Sequence, residues 1–396
     1  MKHAFFFYFY KYFHNEYICN LLASIAYMIY CGKFIIKKIS RKKEIVSMTK
    51  EEAERIVNSV YPKPVSQPLY INPDIDDNID LSIVIPVYNY AEILDNTIQA
   101  ILNQKTRFNY EAIFVDDGST DGARDILKKY ESCPNVKLIF QENGGIGAAR
   151  NTGINNAAGK YLMFVDCDDI VHNDIVETLM SKAYEKNLDM VIAAHNLVKE
   201  KNGEVYSVMP NVYPQKNLVG YKNGDEIMNY PGLPWAKVYK RELWNNVRFF
   251  PGYWYEDTII QFLIFTQVKS YEYIPKVVYE YKWYEKNFSH TQNNYKQLRT
   301  IERYWLLIEI INRYSEISLP NDAQFYTLLI SHFSAYYYSY IRGHKQEIID
   351  ALFVFAKQEI DKYKIEDIKL PYVMKNVEKA FDTRDKALWK LASSYQ

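Results

Sequence analysis

The residues of this chain that could do chemistry gather where apolar runs end. Residues 161–169 read YLMFVDCDD, a short apolar run that passes straight into Asp166, Cys167, Asp168 and Asp169. Opened by Gly159 and Lys160, this run reads as a buried strand of a parallel sheet. The acids then lie at its carboxyl end, where open α/β sheets receive ligands. Asp166 and Asp168 form a D-x-D pair, and two carboxylates this close repel unless a cation lies between them. Hard divalent ions such as Mg2+ or Mn2+ take oxygen ligands and bridge to phosphates, so the pair points to a metal-held nucleotide diphosphate. Taken alone, a D-x-D favours the plainer reading, in which one Asp caps the next helix while the others are solvated, because such triplets are common. Two more apolar runs end alike, 81–89 (LSIVIPVYN) in polar residues and 111–120 (EAIFVDDGST) with Asp116 and Asp117. Three such endings make one crevice, and that coincidence favours the metal and nucleotide reading.

The elements that must position these acids follow from the pattern. Residues 81–89 are the first strand, with Pro86 stopping ladder pairing near its end. Residues 91–104 carry Ile93, Leu94, Ile98, Ile101 and Leu102 on a helical face. Residues 111–120 form the second strand, 125–130 a helix, 136–140 the third strand and 161–165 the fourth. This alternation predicts right-handed βαβ units and a parallel sheet of the α/β class. Between the third and fourth strands, 142–154 (ENGGIGAARNTGI) is a glycine-rich loop opening a helix. Gly145-Ile146-Gly147 is close to a dinucleotide fingerprint, but Arg150 takes the place of the third glycine and the loop follows the third strand, which argues against a nicotinamide dehydrogenase. Residues 153–160 approach a Walker A loop, yet five residues separate the glycines and Tyr161 replaces the required Ser or Thr. What survives is a helix start with backbone amides and one cation, Arg150, which suits a diphosphate.

These residues carry a family pattern. The chain resembles glycosyltransferase family 2, inverting enzymes of the GT-A fold, through IVIPVYN (83–89), VDDGSTD (115–121), NGGIGAARN (143–151), FVDCDD (164–169), WAKVYKREL (235–243) and YEDT (255–258), in family order across residues 81–290. The resemblance implies a GT-A nucleotide-diphospho-sugar transferase fold, with a mostly parallel sheet flanked by helices. It implies transfer of a hexosyl or N-acetylhexosaminyl group from a nucleotide-diphosphate sugar, UDP-linked in most relatives, to a hydroxyl of a glycan or lipid-linked acceptor, as in polysaccharide biosynthesis. Carried over by motif, Pro86, Val87, Tyr88 and Asn89 line the nucleoside pocket, and Asp116 or Asp117 bonds the base. Arg150 approaches the diphosphate or the base. Asp166, Cys167 and Asp168 hold the nucleotide sugar, with Asp168, and beside it Asp166, as ligands of Mn2+ or Mg2+. Asp257, in the Glu256–Asp257 pair, is the implied general base. Trp235, Lys237 and His290 are candidates for the acceptor side, and a residue near His290 closes over donor phosphates. The chemistry agrees: a metal neutralises the leaving diphosphate as a Lewis acid, one carboxylate takes the acceptor proton, and a single displacement needs no enzyme nucleophile. A retaining hydrolase would instead need two carboxylates flanking the bond. Asp257 also reads as an acid favoured by the dipole of a helix over 258–268.

The remainder sets the context. At 396 residues the chain holds two or three units, and 48 basic against 48 acidic residues give no electrostatic case for nucleic acid. Cys19, Cys31, Cys133 and Cys167 show no metal or redox spacing and read as reduced intracellular thiols. With 37 tyrosines, aromatic-rich stretches are not by themselves sugar platforms. Residues 1–46 are a hydrophobic and basic segment ending in Lys37, Lys38, Arg41, Lys42 and Lys43. It reads as membrane-associating, spanning or lying in the interface, with the rest of the chain on the cytoplasmic side. An over-extended start before Met48 is the alternative, which leaves a cytoplasmic protein. Residues 47–80 are a helix and a linker, 81–290 the catalytic domain and 291–396 a helical domain. Within these, 190–198 and 204–208 read as strands, 271–284 as a strand pair turning at Pro275, and 377–391 as one helix. His195 reads as structural, and Asn287-Phe288-Ser289 is a formal sequon. Two other functions share parts of the pattern: a sugar-nucleotide-forming nucleotidyltransferase, which would show a basic glycine-rich loop after the first strand, and a catalytically inactive nucleotide-sugar-binding membrane protein.

Overall fold

The structure is a computed structural model and describes residues 5, 8–9, 13, 15–65, 67–201, 204–211, 217–218, 227, 230–283 and 298–394. His290 and the sequon residues Asn287, Phe288 and Ser289 lie outside the described residues. The chain forms two compact units, Val65–Asn287 and a second made of Met1–Pro64 with Phe288–Gln396.

The first unit is built on one sheet. Its elements in chain order are β1 (Leu81–Val87), α1 (Ala91–Leu102), β2 (Tyr110–Asp117), α2 (Ala123–Lys128), β3 (Val136–Gln141), α3 (Ile146–Asn156), β4 (Tyr161–Phe164), β5 (Ile170–Val171), α4 (Ile175–Lys186), β6 (Met190–Lys201), β7 (Glu204–Asn211), β8 (Asn217–Leu218), β9 (Lys237–Lys240) and β10 (Tyr271–Trp283). The strands run in the order β3-β2-β1-β4-β9-β6-β10-β5, with β7 beside β6 and β8 beside β10. β3, β2, β1 and β4 are parallel, as the alternating pattern predicts. β9 then runs antiparallel to both β4 and β6, while β6 and β10 are parallel. The result is the mixed GT-A arrangement of sheet and flanking helices. β1 is buried along its whole length, in keeping with its largely apolar sequence, and its one polar side chain, Ser82, donates to Glu111 at 2.6 Å. α3 lies tight on this strand: a Cβ on Gly153 would come within 2.2 Å of Val84 Cγ1.

Two local expectations are corrected in the sheet. Residues 271–283 are one strand, not a pair with a turn at Pro275. Its register against β6 shifts between Ile274 and Val277, so Pro275, which has no N–H to give the ladder, is accommodated in a bulge. The segment after Asp257 is not one regular helix but short 3-10 and π turns over Glu256–Thr258, Ile260–Ile264 and Phe265–Gln267. Residues 71–72, within the stretch that reads as linker, accept hydrogen bonds from Arg248, which reaches Asn72 Oδ1 at 2.9 Å.

The second unit is helical. Helices Lys50–Val60, Arg299–Glu316, Ala323–Ser331, Gln346–Lys362, Tyr372–Asp382 and Lys386–Ser393 bury an aromatic-rich interior that includes Tyr304, Phe333, Phe355, Phe381 and Trp389. The single helix expected over 377–391 is two, because Arg384 adopts φ +51° and Asp385 caps a new start, accepting from Leu388 N at 3.2 Å. Asp385 is 1% exposed and pairs with Arg41, just beyond the long helix Glu16–Ser40. The backbones join there too, Val46 N donating to Arg384 O at 3.0 Å and Lys386 N to Glu44 O at 2.8 Å. Tyr17–Ser40 is long and apolar enough to cross a membrane, with mean hydropathy 1.5. Tyr17, Met28, Ile36 and Ile39 on it are exposed, whereas Phe34 is buried and meets Tyr372 edge to face at 5.8 Å.

Candidate functional site

The carboxyl ends of β1 and β2 carry the first group of candidates. Pro86 and Val87 lie inside, Val87 in the apolar core, while Tyr88 and Asn89 on the following loop are exposed. Asn89 takes φ +57°, a conformation asparagine tolerates, and its side chain accepts from Thr120 N at 2.8 Å, joining the two loops. Asp116 and Asp117, alike in sequence, do different things. Asp116 is fully buried, accepts from Ser119 N at 3.2 Å and pairs with Arg124 at 2.7 Å. Asp117 reaches across to the glycine loop, accepting from Gly144 N at 2.9 Å, Gly145 N at 2.8 Å and Gln141 Nε2 at 2.7 Å. Burial pushes its carboxyl above the usual range, and those three hydrogen bonds oppose the shift. The loop is thereby moulded around one carboxylate at the point where α3 starts.

α3 brings Arg150 to the centre. Its guanidinium is 2% exposed and donates at 2.6 Å to Asp166 Oδ1 and at 2.6 Å to Glu256 Oε1. The face of Phe249 lies 5.3 Å from it. Burial alone would lower the Arg150 pKa, but the Asp166, Glu256 and Asp257 charges raise it, so the guanidinium stays charged. Glu256 is pushed up by burial, with Arg150 pulling it back and Asp257 adding to the rise. The approach of the 249–257 segment is fixed by Asn151, which donates to Phe249 O at 2.7 Å and accepts from Phe249 N at 2.8 Å. A Cβ on Gly147 would lie 3.3 Å from Phe249 Cβ, so the absence of a side chain there permits the close packing. The D-x-D and the Glu-Asp pair, far apart in sequence, therefore meet at one cation.

The four-residue acidic loop after β4 divides by exposure. Cys167 packs into the apolar core, its carbonyl accepting from Thr97 Oγ1 at 2.8 Å, and burial raises its thiol pKa well above the ordinary value. Asp169 is buried, accepting from Tyr279 Oη at 2.6 Å and from Lys282 N at 2.9 Å. Asp166 and Asp168 are the half-buried pair, and Asp168 accepts from Tyr90 Oη at 3.0 Å. Asp257 is also half-buried.

Lys237 and Trp235 stand near this cluster. Lys237 is 2% exposed, and its ammonium donates to Leu233 O at 2.7 Å, closing a turn in which Ala236 takes φ +54°. Burial pushes its pKa down to about 7, and the nearby Asp257 charge opposes this. Trp235 is buried, stacked on Tyr279 with ring centroids 4.8 Å apart and met edge-on by His195 at 4.8 Å. His195 is thus a packed core residue. Sequence reasoning missed Tyr90, Gln141, Phe249 and Tyr279. In a chain with 37 tyrosines Tyr279 carries no local signal, whereas Gln141, ending β3 beside the glycine loop, had position in its favour.

The arrangement fits a divalent ion only in part from the protein itself. Among the described residues no cluster of three or more His, Cys, Asp and Glu is poised to hold one. Asp168 and Asp166 offer an all-oxygen, partly open edge, which suits a hard ion that completes its shell with phosphate oxygens.

Residues 82–243 match the family model described as Glycosyl transferase family 2. Glycosyltransferase GlyA of Streptococcus pneumoniae serotype 4 is 33% identical over 217 residues, 52% of this chain and 31% of its own length. Glycosyltransferase GlyG of the same organism is 32% identical over 212 residues, 51% of this chain and 70% of its own length. The chain thus spans about a third of one relative and over two thirds of the other. Among solved structures, S. aureus TarS residues 1–349 in complex with UDP aligns with TM-score 0.54 and 19% identity, covering 80% of this chain and 90% of that one, a likeness of fold.

Proposed function

The chain belongs to glycosyltransferase family 2, an enzyme class that acts on nucleotide sugars, and from that premise we propose an inverting transfer from a UDP-linked sugar to a hydroxyl of a glycan or lipid-linked acceptor. The observation that carries the reading is Arg150, whose two 2.6 Å hydrogen bonds bring Asp166 of the D-x-D and Glu256 of the Glu-Asp pair to one point. The base must lie within hydrogen-bond reach of an acceptor oxygen that attacks the donor sugar, so the two motifs have to border one site. Tyr88, Asn89 and the moulded glycine loop border the nucleoside end. Asp168, with Asp166, would hold Mn2+ or Mg2+ together with the diphosphate, and the ion would supply Lewis-acid neutralisation of the leaving group. Asp257 takes the proton of the acceptor hydroxyl as it attacks. Arg150 and Lys237 lie within electrostatic reach of that carboxylate. TarS, of like fold, is known with UDP, which agrees with a uridine donor.

The exposed apolar helix and the basic residues Lys37 and Lys38 in its last turn support attachment at the cytoplasmic face of a membrane. Cell fractionation of the full chain tests that part: recovery in the membrane fraction is expected, and a wholly soluble product refutes it. The catalytic reading is tested by incubating the purified chain with a panel of UDP- and GDP-sugars, with Mn2+, Mg2+ or EDTA, and measuring release of the nucleoside diphosphate. Metal-dependent release from a subset of donors is expected; no release from any donor, or equal release in EDTA, overturns it.

A further inference from the structure

Arg150 does more than fill space between two acids. It is anchored on α3, which Gly147 and Asn151 lock against the 249–257 segment, and its own face rests on Phe249. The two carboxylates it serves are unequal. The Asp166 side chain keeps 19% of its surface open, whereas that of Glu256 keeps 9%. A ligand arriving at the site therefore meets more of Asp166 than of Glu256. One planar cation divides its donors between them, NH2 to Asp166 and NH1 to Glu256, each at 2.6 Å. A metal and diphosphate engaging Asp166 change what that carboxylate draws from the guanidinium, and the change is felt at Glu256, because both bonds come from one rigid fork.

We propose that Arg150 is a positioning residue that couples occupancy of the donor site at Asp166 to the setting of Glu256, and through the adjoining peptide to Asp257. This rests on the reading of Asp166 as part of the donor site. It follows that donor binding orders the base segment, so that the base is aligned by the time the acceptor arrives. Coupling of this kind is an energy shared by two sites and works in both directions.

The test uses the full-length chain, with UDP and, separately, GDP as probes in the presence of Mn2+. Calorimetry reads binding, and hydrogen exchange of residues 249–258 reads the response of the base segment. In the unaltered chain the nucleotide is expected to slow exchange across 249–258 by about fivefold or more, the lower end of ordinary site-to-site coupling. Glu256→Gln keeps the shape and a hydrogen-bond acceptor for Arg150 while removing the charge. It should still bind the nucleotide, yet show less than half of that response. Arg150→Lys, which keeps the charge but loses the fork, should bind the nucleotide more weakly and, at saturating nucleotide, show the same reduced response. An undiminished response in both variants overturns the proposal, as does binding to the unaltered chain without any response at 249–258. Failure of both nucleotides to bind removes the donor-site reading itself, and this inference with it.

Discussion

The hydroxyl of Tyr279 donates to Asp169 at 2.6 Å and accepts from Asp166 N at 3.2 Å, so β10 grips the acidic loop of β4 from across the sheet. Trp235 stacks on the same ring, with planes 3° apart, which keeps the hydroxyl aimed. Tyr279→Phe removes both bonds and leaves a buried carboxyl short of a donor. Stability should fall by about 1–3 kcal/mol, the usual penalty for such a loss, in urea unfolding. Nucleotide affinity should weaken in calorimetry as Asp166 and Asp168 lose their support.

Asp257→Asn keeps size and polarity but cannot take a proton. Transfer should drop by about 10²–10⁴-fold, the range ordinarily supplied by general bases. Donor binding, followed by calorimetry, should be nearly unchanged. Full turnover in this variant would free Asp257 from its assigned part.

Asp168→Ala tests the metal edge. In the unaltered chain, titrations of the donor with Mn2+ and with EDTA should differ. In the variant the two curves should coincide at the weaker value, since the remaining Asp166 is engaged by Arg150.

Lys237 gives a pH signature. Its pKa is pushed down to about 7 by burial, while in the unfolded chain an ordinary lysine holds its proton to about 10.4. Between these values the unfolded chain binds more protons than the folded one, so the Lys237 contribution makes stability rise with pH. Lys237→Met should therefore be the more stable protein at pH 6, by on the order of a few kcal/mol. Its advantage should shrink as pH climbs towards 10. Parallel thermal melts of the two proteins across pH 6–10 read the difference, and a constant gap contradicts the assignment.

Gly153→Ala would drive a methyl to within 2.2 Å of Val84 Cγ1. The helix must lift from the sheet, and a loss of about 1–3 kcal/mol is expected from overpacking of this kind, measured by urea unfolding.

Gly153 also marks where sequence reasoning reached its limit. Read linearly it belongs to a near-miss of a phosphate loop; in space it is where α3 touches β1. β1, β2 and β4 were legible because a buried parallel strand is mostly apolar and turns polar at its end, whereas β3, half-exposed at the sheet edge, was marked by its place in the alternation. The pairing of Arg150 with Glu256 was not, since it depends on the approach of Phe249 to α3, which no local pattern encodes. Pro275 signalled a break in the ladder, and a bulge and a turn both answer to that signal. The second start at Asp385 was readable in principle: an Asp followed by an apolar helical face is a cap. The acids singled out by type and place differ in burial, Asp116 and Asp169 being buried in hydrogen bonds within the fold while Asp166, Asp168 and Asp257 are half-buried, and sequence alone does not separate the two groups.

Asp385 also ties distant parts of the polypeptide. Sealed in and matched by Arg41, it fastens the stretch that leaves the long apolar helix to the start of the final one. A shortened protein beginning at Met48 would give up more than a greasy arm. It would strand a carboxylate without its counter-ion, and the last turns of the molecule, nearly 350 positions away, would be the first to fray.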